Sequence, residues 1–268
     1  MEQFPIKIKD KRDANAWENT ITVDPNRVMV YDIETTGLTK FDHITTVAWS
    51  MAGKLKHCVF GDDWTEFEED WRRASGVVTF NGTYFDERFI TKDFALSKHP
   101  RHCDLRFFLK AQGRKGGLKK LAEAENLNRP AELDGVDGFF AVLLWKYYQE
   151  TADDEVLNQL QAYNIWDVIL TTELFNRFVG NWLPSDWDML PNINLAKLKE
   201  VKDHYEEPKV LSIEPKSTST KKDPSQKTRI LNELAPPSCG TPMYEKPGDP
   251  PRVCRSESSF DPGGPDAS

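Results

Sequence analysis

The run VMVYDIETTGL, residues 28–38, carries an apolar strand straight into two acids. Side chains of an extended strand alternate, so Val28, Val30, Asp32 and Glu34 share one face while Met29, Tyr31 and Ile33 share the other. Asp32 and Glu34 are therefore neighbours at the end of a strand that reads as buried. Two carboxylates in partly apolar surroundings repel each other and resist desolvation, and they need a shared proton or a bound cation.

The pattern around this strand predicts an α/β layer fold. Strands are expected over 27–34, 43–50, 54–60 and 76–80, the first three close enough together to form an antiparallel meander. DDWTEFEEDWRRA places Trp64, Phe67 and Trp71 at helical spacing. A helix is expected from Phe85 to Phe94 and a short strand at HCDL, ending near Asp104. After that the chain turns helical in GGLKKLAEAENL, in the apolar DGVDGFFAVLLWKYYQE, and in a long helix DDEVLNQLQAYNIWDVILTTELFNRFV opened by acids. Strands first, then helices interleaved and dominant, imply a mixed sheet flanked by helices. The expected divisions are an N-terminal extension over 1–26, one folded domain over 27–190, and a Pro/Ser/Lys-rich, mostly disordered tail over 191–268.

No run approaches the roughly 18 apolar residues of a membrane span, and MEQFPIKIKDKR lacks the apolar core of a signal peptide. A cytoplasmic protein with free thiols is expected, because Cys58, Cys103, Cys239 and Cys254 include no close pair. The formal charge of −8 argues against a phosphate-binding surface in general. One stretch runs the other way: Arg101, Arg106, Lys110, Arg114, Lys115, Lys119 and Lys120 stand against the single acid Asp104. Without other signals this reads as a solvated basic face.

Two further acids invite explanation. Leu160, Tyr163, Asp167, Leu170 and Leu174 follow steps of three and four, which puts Asp167 inside the apolar stripe of the long helix. Asp86, in TFNGTYFDERFI, follows a strand and a turn. Taken singly, Asp167 reads as an acid bonded to a nearby donor and Asp86 as a helix cap, with Asn81 as a turn residue.

Taken together, DIETTGL at 32–38, NGTYFD at 81–86 and YNIWD at 163–167 resemble, in order and spacing, the three motifs of the DEDD exonuclease superfamily. Tyr163 four positions before Asp167 resembles its tyrosine-containing branch, and TFNGTYFDERFI is similar to the proofreading domain of family B DNA polymerases. The resemblance covers about 27–180. With no room for polymerase domains, the chain more closely resembles free-standing exonucleases related to that domain.

The resemblance implies a ribonuclease H-like fold and metal-dependent 3′→5′ removal of nucleotides. It implies two Mg²⁺ or Mn²⁺ ions held by Asp32, Glu34, Asp86 and Asp167, for which hard carboxylate oxygens are suited. Asp32 would bridge both ions, Glu34 and Asp167 would hold the one that activates water, and Asp86 would support the second. Tyr163 would orient the attacking water. Thr35, Thr36, Gly37 and Leu38 would approach the terminal nucleotide, with Leu38 near the last base, and Asn81 and Phe85 would lie near the 3′ end; core packing is the equal alternative for Phe85. With such a substrate the basic stretch reads as phosphate contact, and KGGLKK, with Lys119 and Lys120, is its best local candidate. Single-stranded DNA or a frayed 3′ end is the expected partner. An exoribonuclease, or a catalytically silent nucleic-acid-binding module, is the alternative, and the tail is a candidate site for a protein partner.

Overall fold

The computed structural model describes residues 2–3, 22–187 and 190–206. Its centre is a five-stranded mixed sheet in the order β5-β4-β3-β6-β7: β3 (Val28–Thr35), β4 (Ile44–Met51), β5 (Lys54–Val59), β6 (Gly76–Thr79) and β7 (His102–Asp104). β3, β4 and β5 pair antiparallel, while β6 pairs parallel to β3 and β7 parallel to β6. This is the expected mixed α/β sheet, with the meander on one side and parallel strands on the other. A second, two-stranded sheet joins β1 (Glu2–Gln3) to β2 (Thr22–Val23), inside the segment expected to be only an extension. Val23 is buried in the core.

The alternation along β3 sorts the interior into two layers. Val28 and Val30 face a cluster with Val168, Leu174 and Phe175, which belong to α6 (Asp154–Val179). Met29, Tyr31 and Ile33 face the opposite cluster. There Phe67 and Trp71 come from α1 (Thr65–Arg73), and Phe89 and Ile90 from α2 (Asp86–Asp93). α1 begins later than the apolar pattern suggests because Asp63 accepts a hydrogen bond from the Thr65 backbone N–H, 2.9 Å, leaving Trp64 just outside the helix.

Two short helices follow β7, α3 (Leu105–Ala111) and α4 (Leu118–Ala124). Next come α5 (Gly138–Thr151) and the 26-residue α6, a span of roughly 39 Å at 1.5 Å per residue. Asp153 caps α6 by accepting from the Glu155 N–H, 3.0 Å, and acids in its first turn oppose the helix dipole. Gly180 ends it with φ 88°, a left-handed conformation that glycine adopts without strain.

Folded structure continues past residue 190, the expected end of the domain. A further helix, α7 (Leu195–Glu206), buries Leu198 and Val201 in the cluster formed by α5 and α6. Local composition hides it because only a narrow stripe is apolar. The Pro/Ser-rich tail proper, 207–268, lies outside the described residues, as do Cys239 and Cys254. Among the described residues, Cys58 and Cys103 are buried and form no disulfide, and no helix is long and apolar enough to cross a membrane.

Candidate active site

β6 stays beside β3 only as far as Val30↔Val78. Beyond that point the second half of β3, with Asp32 and Glu34, is released on one side while β4 still holds the other through Asp32↔Ala48 and Glu34↔Thr46. The chain leaving β6 turns back through residues 80–85 and delivers Asp86 as the first residue of α2. α6 crosses above and brings Tyr163 and Asp167 down from its apolar stripe. The result is a cleft of ≈ 180 Å³ at the carboxyl ends of the parallel strands, lined by Asp32, Glu34, Asp86, Tyr163, Asp167 and the mouth residue Leu38.

Within it, Asp32, Glu34 and Asp167 each offer a carboxylate oxygen, all within 4.8 Å of one another. Asp86 lies in the same cleft but outside that trio. Burial first, then the charges of Asp86, Asp167 and Glu34, pushes the Asp32 carboxyl well above its ordinary range, against a 2.7 Å hydrogen bond from Asn164 Nδ2. Burial and the Asp167 charge raise Glu34 in the same way. Asp86 is pushed up to about 7, chiefly by burial and despite a backbone hydrogen bond from Ile33. Burial raises Asp167 too, although Lys119 and Arg129 oppose it. Among the described residues, the buried Oδ1 atoms of Asp86 and Asp167 have no hydrogen-bond partner. Acids that are raised, clustered and short of donors fit a hard divalent cation, whose charge removes the mutual repulsion and fills the empty lone pairs.

The Tyr163 hydroxyl is buried and kept neutral, its ionisation pushed up by burial and by Asp167. It hydrogen-bonds the Asp167 carboxyl and accepts a 2.9 Å hydrogen bond from Lys119 Nζ. Lys119 Nζ also donates to the Val136 carbonyl and lies 4.7 Å from the centre of the Tyr163 ring. Burial lowers the Lys119 pKa, against the pull of Asp167 and Glu34. Lys119, expected to contact phosphate, turns toward the cleft, where the loop ahead of α5 presents the Val136 carbonyl to it. Lys120 is exposed.

The other expected contacts divide. Leu38 is 74 % exposed at the cleft mouth, and Arg88 fixes its carbonyl, 2.7 Å. Thr35 and Thr36 spend their hydroxyls within the turn, on the Gly37 carbonyl at 2.6 Å and on Asp42 at 3.0 Å. A Cβ on Gly37 would meet that Asp42 carboxylate at 2.8 Å. Asn81 lines the cleft with φ 72°, its Oδ1 accepting from Arg106 at 2.5 Å. Phe85 lines the cleft and also packs on Phe89, ring centres 5.2 Å apart. Asp86 is not the helix cap it could have been read as; Phe85 holds that position.

The basic stretch does not form one patch. Arg101 donates to the Ser75 carbonyl, 3.3 Å, at the opposite ends of β6 and β7 from the cleft. Arg114 pairs with Glu125, and Arg106 is committed to Asn81. Helical order scatters residues that stand close in sequence.

Three contributors escaped the sequence reading. Asn164 ties Asp32 to Thr46, whose hydroxyl donates to Asn164 Oδ1 at 3.2 Å. Its place four residues after Leu160 on the same helical face was the available signal. Asp104 accepts from the backbone N–H groups of Asn81, 2.9 Å, and Thr83, 3.0 Å, clamping the loop before Asp86. Arg129, tied to the Leu133 carbonyl at 2.7 Å, adds positive charge near Asp167, and no local pattern announced it.

A family model for the RNase_H superfamily, RNase_H_2, matches residues 29–179, from the first core strand to the end of α6. No curated protein sequence matches the chain.

Proposed function

The chain belongs to the ribonuclease H superfamily, whose members are commonly nucleases, and from that premise we propose that it is a 3′→5′ exonuclease of the tyrosine-containing DEDD type, acting on single-stranded DNA. The observation that carries this reading is the convergence of Asp32, Glu34 and Asp167 within 4.8 Å, with the unpartnered Asp86 oxygen across the same cleft. Asp32, Glu34, Asp86 and Asp167 would hold two Mg²⁺ or Mn²⁺ ions. Bound there, the metal supplies an activated water and charge stabilisation for the leaving oxygen.

The chain's own groups do the rest. Tyr163, neutral and held by Lys119, fixes the position of the attacking water beside Asp167. Lys119 adds fixed positive charge where negative charge develops on the phosphate. Leu38, exposed at the mouth, and Phe85 at the wall bracket the terminal nucleotide, while Asn81 presents its amide nitrogen because Arg106 occupies its oxygen. A narrow cleft with an apolar lip suits a strand end whose last base is free of a partner.

The test is a time course on 5′-labelled single-stranded DNA and RNA of one sequence, with Mg²⁺, Mn²⁺ or EDTA. The expected result is a ladder shortening from the 3′ end, metal-dependent and faster on DNA. Faster RNA trimming would move the substrate to RNA, and cuts inside the strand would overturn the exonuclease polarity.

A further inference from the structure

The two ends of the loop that delivers Asp86 are fastened to one buried imidazole. His102, on β7, is 1 % exposed. Its Nε2 lies 2.7 Å from the Thr79 hydroxyl at the end of β6, and its Nδ1 lies 3.0 Å from Glu87 Oε1, one residue beyond Asp86 in the first turn of α2. The other Glu87 oxygen accepts from Lys98, 2.8 Å. Inside the loop, the Gly82 N–H donates to the same Thr79 hydroxyl at 3.1 Å, and the Glu87 N–H donates to the Gly82 carbonyl at 3.0 Å. A Cβ at position 82 would fall 2.3 Å from Thr79 Oγ1, so this closure needs the glycine.

The arrangement calls for explanation because its surroundings are apolar. Met29, Phe89, Ile90 and Val77 fill the same layer, and apolar side chains there would stabilise at least as well as a buried imidazole–carboxylate pair, whose further partner Lys98 reaches in from the exposed surface. What a fully bonded polar network supplies instead is one fixed geometry. Asp86 needs one: it stands outside the trio of Asp32, Glu34 and Asp167, and while backbone N–H groups reach its carboxylate, its Oδ1 has no partner.

We propose that His102 and Glu87 are positioning residues for metal binding through Asp86, fixing the start of α2 so that this carboxylate meets a second cation next to the one held by the trio. The inference rests on the reading of the cleft as a two-metal nuclease site. It assigns the buried network a job separable from folding.

The experiment is a Mn²⁺ titration of the full chain without nucleic acid, followed by electron paramagnetic resonance, on wild type, His102→Leu, Glu87→Ala and the conservative Glu87→Gln. Thermal melting of each variant is recorded alongside. Wild type is expected to bind two ions. In His102→Leu and Glu87→Ala the weaker ion's affinity falls about ten- to a hundredfold, the range for groups that orient metal ligands, while the tighter ion is unchanged. Glu87→Gln, which still offers an acceptor to His102, recovers most of that loss. In the cleavage assay the Mn²⁺ midpoint rises accordingly, and saturating Mn²⁺ restores the rate. Should His102→Leu fail to fold, the two Glu87 variants carry the same comparison. Folded variants that bind both ions as wild type does, or that weaken both ions equally, overturn the positioning role alone. A wild type that binds no Mn²⁺ overturns it together with the nuclease reading.

Discussion

Asp70 and Asp86 are both buried acids on helices that follow the meander, and their surroundings are opposite. Asp70, in α1, accepts from Trp49 Nε1 at 2.9 Å, from Lys56 Nζ at 2.7 Å and from Arg73. Burial alone would raise its pKa, but those three donors outweigh it and hold the carboxyl below its ordinary value. Asp86 has one orphaned oxygen and is pushed up to about 7 by burial. An acid that serves the fold is saturated with donors. The acids of the cleft, with like charges for neighbours and too few donors, make the folded chain less stable, a cost that a bound cation would remove.

The sharpest way to break this comparison is through activity. Asp32→Ala or Asp167→Asn is expected to lower exonuclease turnover by roughly a thousandfold or more, as for residues that act as a unit. Asp70→Asn, remote from the cleft, should leave turnover per folded molecule within about twofold. Equal losses in both sets would erase the distinction between the two kinds of acid.

A second comparison is between adjacent lysines. Lys119→Met should reduce kcat about ten- to a hundredfold by releasing Tyr163, at the low end of what general acid–base groups contribute. Lys120→Met, at an exposed position outside the cleft lining, should change it by less than about twofold. Single-turnover rates at saturating metal read both effects.

Stability should respond in the opposite order. Asp70→Asn removes charge-assisted hydrogen bonds from a fully buried group, and a loss of about 1–3 kcal/mol is expected. For a chain of this size that is a fall in Tm of about 2–10 °C. The pH dependence separates the two acids by sign. Asp86 has a folded pKa raised to about 7, so between its unfolded value near 4 and about 7 the folded state holds the extra proton. In EDTA its contribution to stability therefore falls as pH rises through that window and is flat above it. Asp70 has a lowered pKa, so its contribution is present above the unfolded value and is lost as pH falls through the folded one. Between about pH 4 and 7 the denaturant midpoint of wild type minus Asp86→Asn should fall as pH rises while that of wild type minus Asp70→Asn stays flat, and below about pH 4 the Asp70 difference should fall as pH falls.

Much of this site was legible because its acids obey local periods. Alternation along 28–34 put Asp32 and Glu34 on one face, and steps of three and four placed Tyr163 and Asp167 on one stripe. Asp86 was reached by the order of its motif, since nothing local separates it from a cap. What stayed hidden depends on contacts between distant segments. Lys119 reads as one of a basic run, and only the arrival of Val136 and Tyr163, 44 positions on, turns it inward. Asp104 gains its partners from the loop after β6, and His102 from Thr79 and Glu87 on either side of that loop, which their own neighbourhood does not encode. α7 carries too thin an apolar stripe to be told from the polar segment after it, and its burial against α5 and α6 is a tertiary outcome.

The most direct measurement is the melting temperature of wild type and Asp32→Asn, each in EDTA and in Mn²⁺, at pH 7.5. In EDTA the variant should melt above wild type, because one of the crowded carboxylates is gone while the amide oxygen can still accept from Asn164. Mn²⁺ should raise the wild type markedly and the variant little, reversing the order. A variant that melts below wild type in EDTA, with no shift of wild type in Mn²⁺, would mean that Asp32 is held as Asp70 is, for the fold, and that the cleft is not a metal site.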